Sequence, residues 1–111
     1  MIIDVNAEFA KDIDGLEYKT VYMYPQSLNK LPVVSWYELT EDSSDSFDGE
    51  SHQTGYIQVD IFTQKRSEIG KMTLAVNKHM TSKEWRCEAA LDVPDNSEIY
   101  HKTMRFKKVF F

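Results

Sequence analysis

The side chains able to do chemistry are few and scattered. Histidines stand at His52, His79 and His101, and Cys87 is the one cysteine. A transition-metal site draws on several His, Cys or carboxylate ligands at characteristic spacing, and no histidine here has a second ligand at such a spacing. No metal and no cofactor are expected. Asp42, Asp45, Asp48 and Glu50 raise the question of calcium. Setting Gly49 at the turn glycine of an EF-hand loop puts Ser44 at the first ligand and Gly55 where a bidentate carboxylate is required, so the template fails. Cys87 alternates with Trp85 and Ala89 on an apolar side and reads as a packing thiol, with no base to activate it as a nucleophile. Ser35 and Ser67 lack the glycines of a nucleophile elbow, and Gly49 and Gly55 do not make a phosphate loop. No acid, base and nucleophile set can be named, and the expectation is a protein that is not an enzyme.

Two groups of unlike charge remain. Residues 41–54 are dominated by Ser, Asp, Glu and Gly, with Phe47 the only apolar side chain. Such a composition buries too little surface to offset its ordering entropy, which predicts a mobile loop or a segment that orders on binding. Near the other end stand Lys102, Arg105, Lys107 and Lys108. Strand alternation puts Arg105 and Lys107 on one face and Lys102 and Lys108 on the other. The candidate protein-interface residues are therefore Asp42, Asp45, Phe47, Asp48 and Glu50, with Arg105 and Lys107 as the unlike patch.

The elements that must position these groups follow from periodicity. Ile2, Val5, Phe9 and Ile13 recur at helical spacing and predict a helix near residues 4–13, with Asp4 as the cap and Gly15 supplying a left-handed residue at the end. Residues 16–24 are rich in Tyr and Val and predict a strand stopped by Pro25. Pro32 opens a second strand through Leu39, expected to pair antiparallel with the first as a wide hairpin. Residues 55–63 alternate cleanly, with Ile57, Val59 and Ile61 inward and Tyr56, Gln58 and Asp60 outward. Ser67 is expected to cap a helix whose stripe is Ile69, Met72, Val76 and Met80. Residues 85–93 alternate as a fourth strand, Pro94-Asp95-Asn96-Ser97 makes a turn, and residues 99–110 form a fifth strand. The expected core is Ile57, Val59, Ile61, Met72, Val76 and Leu91.

This is an α+β reading in the order α-β-β-β-α-β-β, a mostly antiparallel sheet of four or five strands with two helices packed on one face. The opposite face would carry aromatic and charged side chains, a surface that calls for a partner. The 111 residues suit a single domain, and 41% hydrophobic with 28% charged residues is an ordinary globular balance. A net charge of -5 argues against nucleic-acid binding as the main role. One cysteine excludes an internal disulfide. Met1-Ile2-Ile3-Asp4 does not start a signal peptide, and no apolar run nears the roughly 18 residues of a membrane span. A cytosolic protein without a membrane partner is expected.

The run Pro32-Val33-Val34-Ser35-Trp36-Tyr37-Glu38-Leu39, the Ser/Asp-rich loop, Tyr56-Ile57-Gln58-Val59-Asp60-Ile61-Phe62, the helix from Ile69 to Met80 and Tyr100-His101-Lys102-Thr103-Met104-Arg105-Phe106 together carry a resemblance. Over most of its length the chain resembles small tail-completion proteins of long-tailed bacteriophages and prophages, the tail terminator or head-tail joining proteins. The resemblance implies helices on one face of a sheet and a homo-oligomeric ring, hexameric in this family. That ring sits at the head-proximal end of the tail tube, ends tube growth and meets the head connector or stopper protein. DNA in the lumen would be touched only passively. The implied location is the bacterial host cytoplasm during assembly and then the head-tail junction of the virion. Two other readings stay open: another phage structural component, such as a minor capsid or tail-tube protein, and a small acidic protein-binding module acting through residues 41–50.

Overall fold

The structure is a computed structural model that describes residues 3–25, 30–42, 52–94 and 98–111, with the backbone alone for 40–42. Two helices and five strands follow in the order α1 (Val5–Ile13), β1 (Thr20–Tyr22), β2 (Val33–Asp42), β3 (Gln53–Thr63), α2 (Arg66–Ser82), β4 (Arg86–Val93) and β5 (Tyr100–Phe110). The fold is α+β, in the element order that the sequence predicts. One sheet holds all five strands in the order β1-β2-β3-β5-β4.

Helix α1 starts where the Asp4 carboxylate accepts the Ala7 N–H at 3.1 Å, satisfying one of the free donors of the first turn. Val5, Phe9 and Ile13 are buried at the predicted spacing, while Ile2 lies outside the described residues. Gly15, at φ 93°, turns the chain out of the helix in a conformation that costs glycine little. Gly55 serves differently: a Cβ there would sit 2.5 Å from a Val5 methyl, so its bare backbone is what lets α1 lie close on β3.

Helix α2 starts earlier than the sequence suggests. Ser67 is its second residue and not its cap. The cap position falls on Lys65, whose side chain makes no capping bond. The Lys65 N–H instead donates to the Thr63 hydroxyl at 3.2 Å, so the turn is secured before Ser67 is reached. The stripe holds: Met72, Val76 and Met80 are fully buried, and Ile69 packs on the core edge.

Under the helices, Val34 and Trp36 of β2, Ile57, Val59 and Ile61 of β3, and Met104 and Phe106 of β5 meet Phe9 and Trp85. Phe9 stands 5.0 Å from both Trp36 and Trp85, ring centre to ring centre. Each such buried side chain contributes about 1.5–3 kcal/mol from leaving water. A charged cluster closes one edge of this layer. The Asp12 carboxylate accepts the Trp85 indole N–H at 2.9 Å and the Lys108 ammonium at 3.3 Å. Lys108 also donates to the Lys83 carbonyl and lies over the Trp85 ring.

Three further expectations are corrected. The first strand shrinks from residues 16–24 to Thr20–Tyr22, and it pairs parallel with β2. No antiparallel hairpin joins them, because β2 already has β3 as its antiparallel neighbour and β1 runs alongside its other edge. The acidic loop is shorter than residues 41–54: Glu41 and Asp42 pair with Gly55 and Thr54, and Gln53 continues along β5. Cross-strand hydrogen bonding overrides their weak strand propensity. Leu91 leaves the predicted core and is 58% exposed. The register slips between Cys87 and Ala89, leaving Glu88 as the extra residue of a bulge. Beyond it the alternation inverts, so Leu91 pairs with Thr103 on the far face.

Candidate protein interface

Both helices lie on one side of the sheet, so the other side is built from what alternation leaves. Its rows read across the strands as Ser35, Asp60 and Thr103, with Tyr37, Gln58 and Arg105 next, and Phe62 and His101 on the opposite flank. Asp60 is the centre of this face. Its side chain is 7% exposed, and it accepts hydrogen bonds from the Thr103 hydroxyl and, at 3.3–3.4 Å, the Gln58 amide. His101 Nε2 lies 2.8 Å from the same carboxylate, and its ring stacks on Phe62 at 4.2 Å. A buried carboxylate is tolerable only with such partners, so the network fixes the side chains of three adjacent rows. Burial, followed by the nearby Asp60 charge, pushes the Tyr37 phenol up from its ordinary value. The Ser35 hydroxyl, fully buried opposite Asp60, has no hydrogen-bond partner among the described residues.

Arg105 projects from this face as an exposed cation opposite Gln58. Lys107 is half-buried, 3.9 Å from Glu88 and 5.9 Å above the Tyr56 ring. Alternation divides the basic group as expected: Lys102 and Lys108 turn to the helix side, where Lys102 lies 3.6 Å from Asp92 and Lys108 joins Asp12. Of the predicted acidic patch, Asp45, Phe47, Asp48 and Glu50 lie outside the described residues, and Asp42 is the last residue of β2. Since Asp42 pairs with Thr54, and Lys107 pairs with Tyr56, Asp42 and the basic pair stand at one end of the same sheet.

The other chemical candidates have local partners. His79 Nε2 lies 2.8 Å from the Asp12 carbonyl, which joins α2 to α1. His52 is half-buried beside Phe111. Cys87 is half-buried, and burial pushes its thiol up from the ordinary range, away from the reactive thiolate. Among the described residues no group of three or more His, Cys, Asp or Glu side chains is placed to hold a metal ion. Among the same residues no helix is long and apolar enough to cross a membrane.

Sequence reasoning missed two features. One is the link from Asp60 to His101, which lie in strands adjacent in space with a helix and β4 between them in sequence. The other is an exposed aromatic and basic cluster at β1, where Tyr22, Met23 and Tyr24 stand beside Lys19 and Lys30. The run of tyrosines was the available signal, but assigning them to a long hairpin strand hid it. No protein-family model matches the sequence, and no curated protein matches it.

Proposed function

We propose that the chain is a structural subunit of a long-tailed phage, assembling as a ring at the head-proximal end of the tail, where it ends the tail tube and joins it to the head connector. The observation that carries this reading is the division of the sheet. One face is sealed under α1 and α2, and the other is left open with a rigid polar centre and exposed Leu39, Leu91 and Arg105 around it. An open face of mixed apolar and basic character is what an assembly subunit presents to its neighbours. The helix-on-one-face architecture agrees with what the sequence resemblance implies. Within this reading Asp42, Asp45, Phe47, Asp48 and Glu50 form one contact surface and Arg105 and Lys107 another, and neighbouring components supply the unlike charges. No cofactor or metal is part of the function.

The test is electron microscopy of phage made without this protein. Overlong tails, or finished tails separated from filled heads, are expected. Normal virions would discard the reading.

A further inference from the structure

At the β1 edge a cleft of about 280 Å³ opens among Lys19, Val21, Tyr22, Tyr24, Lys30 and Val33. No acid lines it. Lys19 and Lys30 are both exposed, and among the described residues neither has an ion-pair partner. Beside it, Tyr22, Met23 and Tyr24 are 51%, 45% and 66% exposed, a consecutive run of large apolar side chains turned to solvent. Met23 turns out of β1 at φ 74°, the left-handed region that a non-glycine residue rarely occupies. Aromatic walls with two unpaired cations suit an acidic peptide segment that carries an aromatic ring.

Such a segment exists in this protein. Residues 41–50 hold Glu41, Asp42, Asp45, Asp48 and Glu50, no Lys or Arg, and the single aromatic Phe47. On its own copy the segment does not span the cleft. Val33 and Asp42 are the first and last residues of β2, so the Val33 and Lys19 end of the cleft lies roughly 25–30 Å from Asp42 at about 3.3 Å per residue, while its Tyr22 and Tyr24 wall, beside Trp36 and Tyr37, lies roughly 17–20 Å away. Phe47 stands five residues beyond Asp42, and a fully extended chain carries it back at most about 18 Å, to the tyrosine wall and short of the Val33 and Lys19 end.

We propose that the acidic segment of one copy docks in the β1 cleft of the next, with the Phe47 ring in the cleft and its carboxylates against Lys19 and Lys30. This rests on the ring-forming reading above and names the surfaces that would meet. The two surfaces lie at opposite ends of β2, which makes the contact heterologous, the kind that closes into a ring when the rotation allows.

The probe is a labelled peptide of residues 40–52 titrated into the full chain at low salt, beside an oligodeoxythymidine of similar charge. Saturable peptide binding is expected, at least about 10-fold weaker for the Lys19→Glu, Lys30→Glu chain and for the Phe47→Ala peptide, and weaker at high salt. Both lysines are exposed, so an unchanged melting curve verifies that the variant is folded. A peptide carrying Asp45→Lys and Asp48→Lys should regain binding to the doubly reversed chain. Equal binding by parent and variant, no saturation by about 1 mM, preference for the oligonucleotide, or no recovery on charge exchange would each overturn the proposal. Normal virions made without the protein would remove the tail reading yet leave a positive peptide result standing, so the two failures are separable.

Discussion

Along β3, Ile57, Val59 and Ile61 point under the helices and are fully buried, while Gln58, Asp60 and Phe62 point the other way. On the first side burial is achieved mainly by apolar packing, with Phe9, Trp85 and Met72 filling the space above the strand and the Asp12 cluster closing one edge. On the second, no helix packs, and Asp60 is nevertheless 5% exposed because Thr103, Gln58 and His101 surround it. One face excludes water with hydrocarbon, and the other holds a carboxylate in a hydrogen-bonded lattice. The first makes the fold stable, and the second keeps an uncovered surface in a single shape without hiding it, which is useful to a face that meets partners.

The largest effect should come from putting the chemistry of one face on the other. Val59→Asp places an unpaired carboxylate in the dry layer at a cost of several kcal/mol, against a total stability of roughly 5–15 for a domain, and should abolish the cooperative thermal transition. A well-folded Val59→Asp chain would mean that the two faces do not differ in this way. Gln58→Asp, the neighbouring change on the open face, should not be silent either. It would lose the amide that donates to Asp60 and set a second carboxylate beside it. Its melting point should fall, though far less than that of Val59→Asp.

Asp60→Ala tests the open face directly. It leaves the Gln58 and Thr103 donors without their acceptor and should cost about 1–3 kcal/mol, read from the denaturant midpoint. On the covered face Gly55→Ala pushes a methyl against Val5 and should cost about 1–2 kcal/mol, because α1 must lift or Val5 must change rotamer. Adding Val5→Ala should restore part of that loss in the double variant, whereas independent losses would show that the two residues do not touch. Leu91→Ser should cost less than either Asp60→Ala or Gly55→Ala. At 58% exposure beyond the bulge, Leu91 should contribute less than about 1 kcal/mol, and a large loss would return it to the core that its sequence position suggested.

The bulge shows why part of the fold was legible and part was not. The alternation of residues 57–61 and the stripe Met72, Val76 and Met80 are local signals, each written within one element, and the structure keeps them. Glu88 looks like any outward strand residue, and nothing in residues 85–93 announces that it will be skipped. Only pairing with β5 decides that, and pairing is non-local. The parallel placement of β1 was hidden for the same reason: Tyr18, Tyr22 and Tyr24 advertise a strand but not which edge it joins. The candidate interface divides likewise. That Arg105 and Lys107 share a face follows from alternation, but that they stand near the base of the acidic segment depends on the register of β3 against β2 and β5.

That register sharpens the last and smallest effect on stability. Reversing Arg105 and Lys107 to Glu should leave the melting transition within about 0.5 kcal/mol, because Arg105 is exposed and the Lys107 contact with Glu88 is long at 3.9 Å. On the proposed tail reading, assembly is where the change should be felt. Lys107 pairs with Tyr56, two residues from Thr54 at the base of the acidic segment, so roughly 7 Å of strand separates the basic group from that base. If the pair meets a neighbouring component, the reversed chain should load less onto purified tail tubes in sedimentation, and the deficit should shrink at high salt. If it meets the acidic segment of its own copy, loading should be unchanged, and protease should cut residues 43–51 faster in the variant than in the parent. Reduced loading with an unchanged cleavage rate assigns the open face to a partner, and the opposite result assigns its charges to the chain itself.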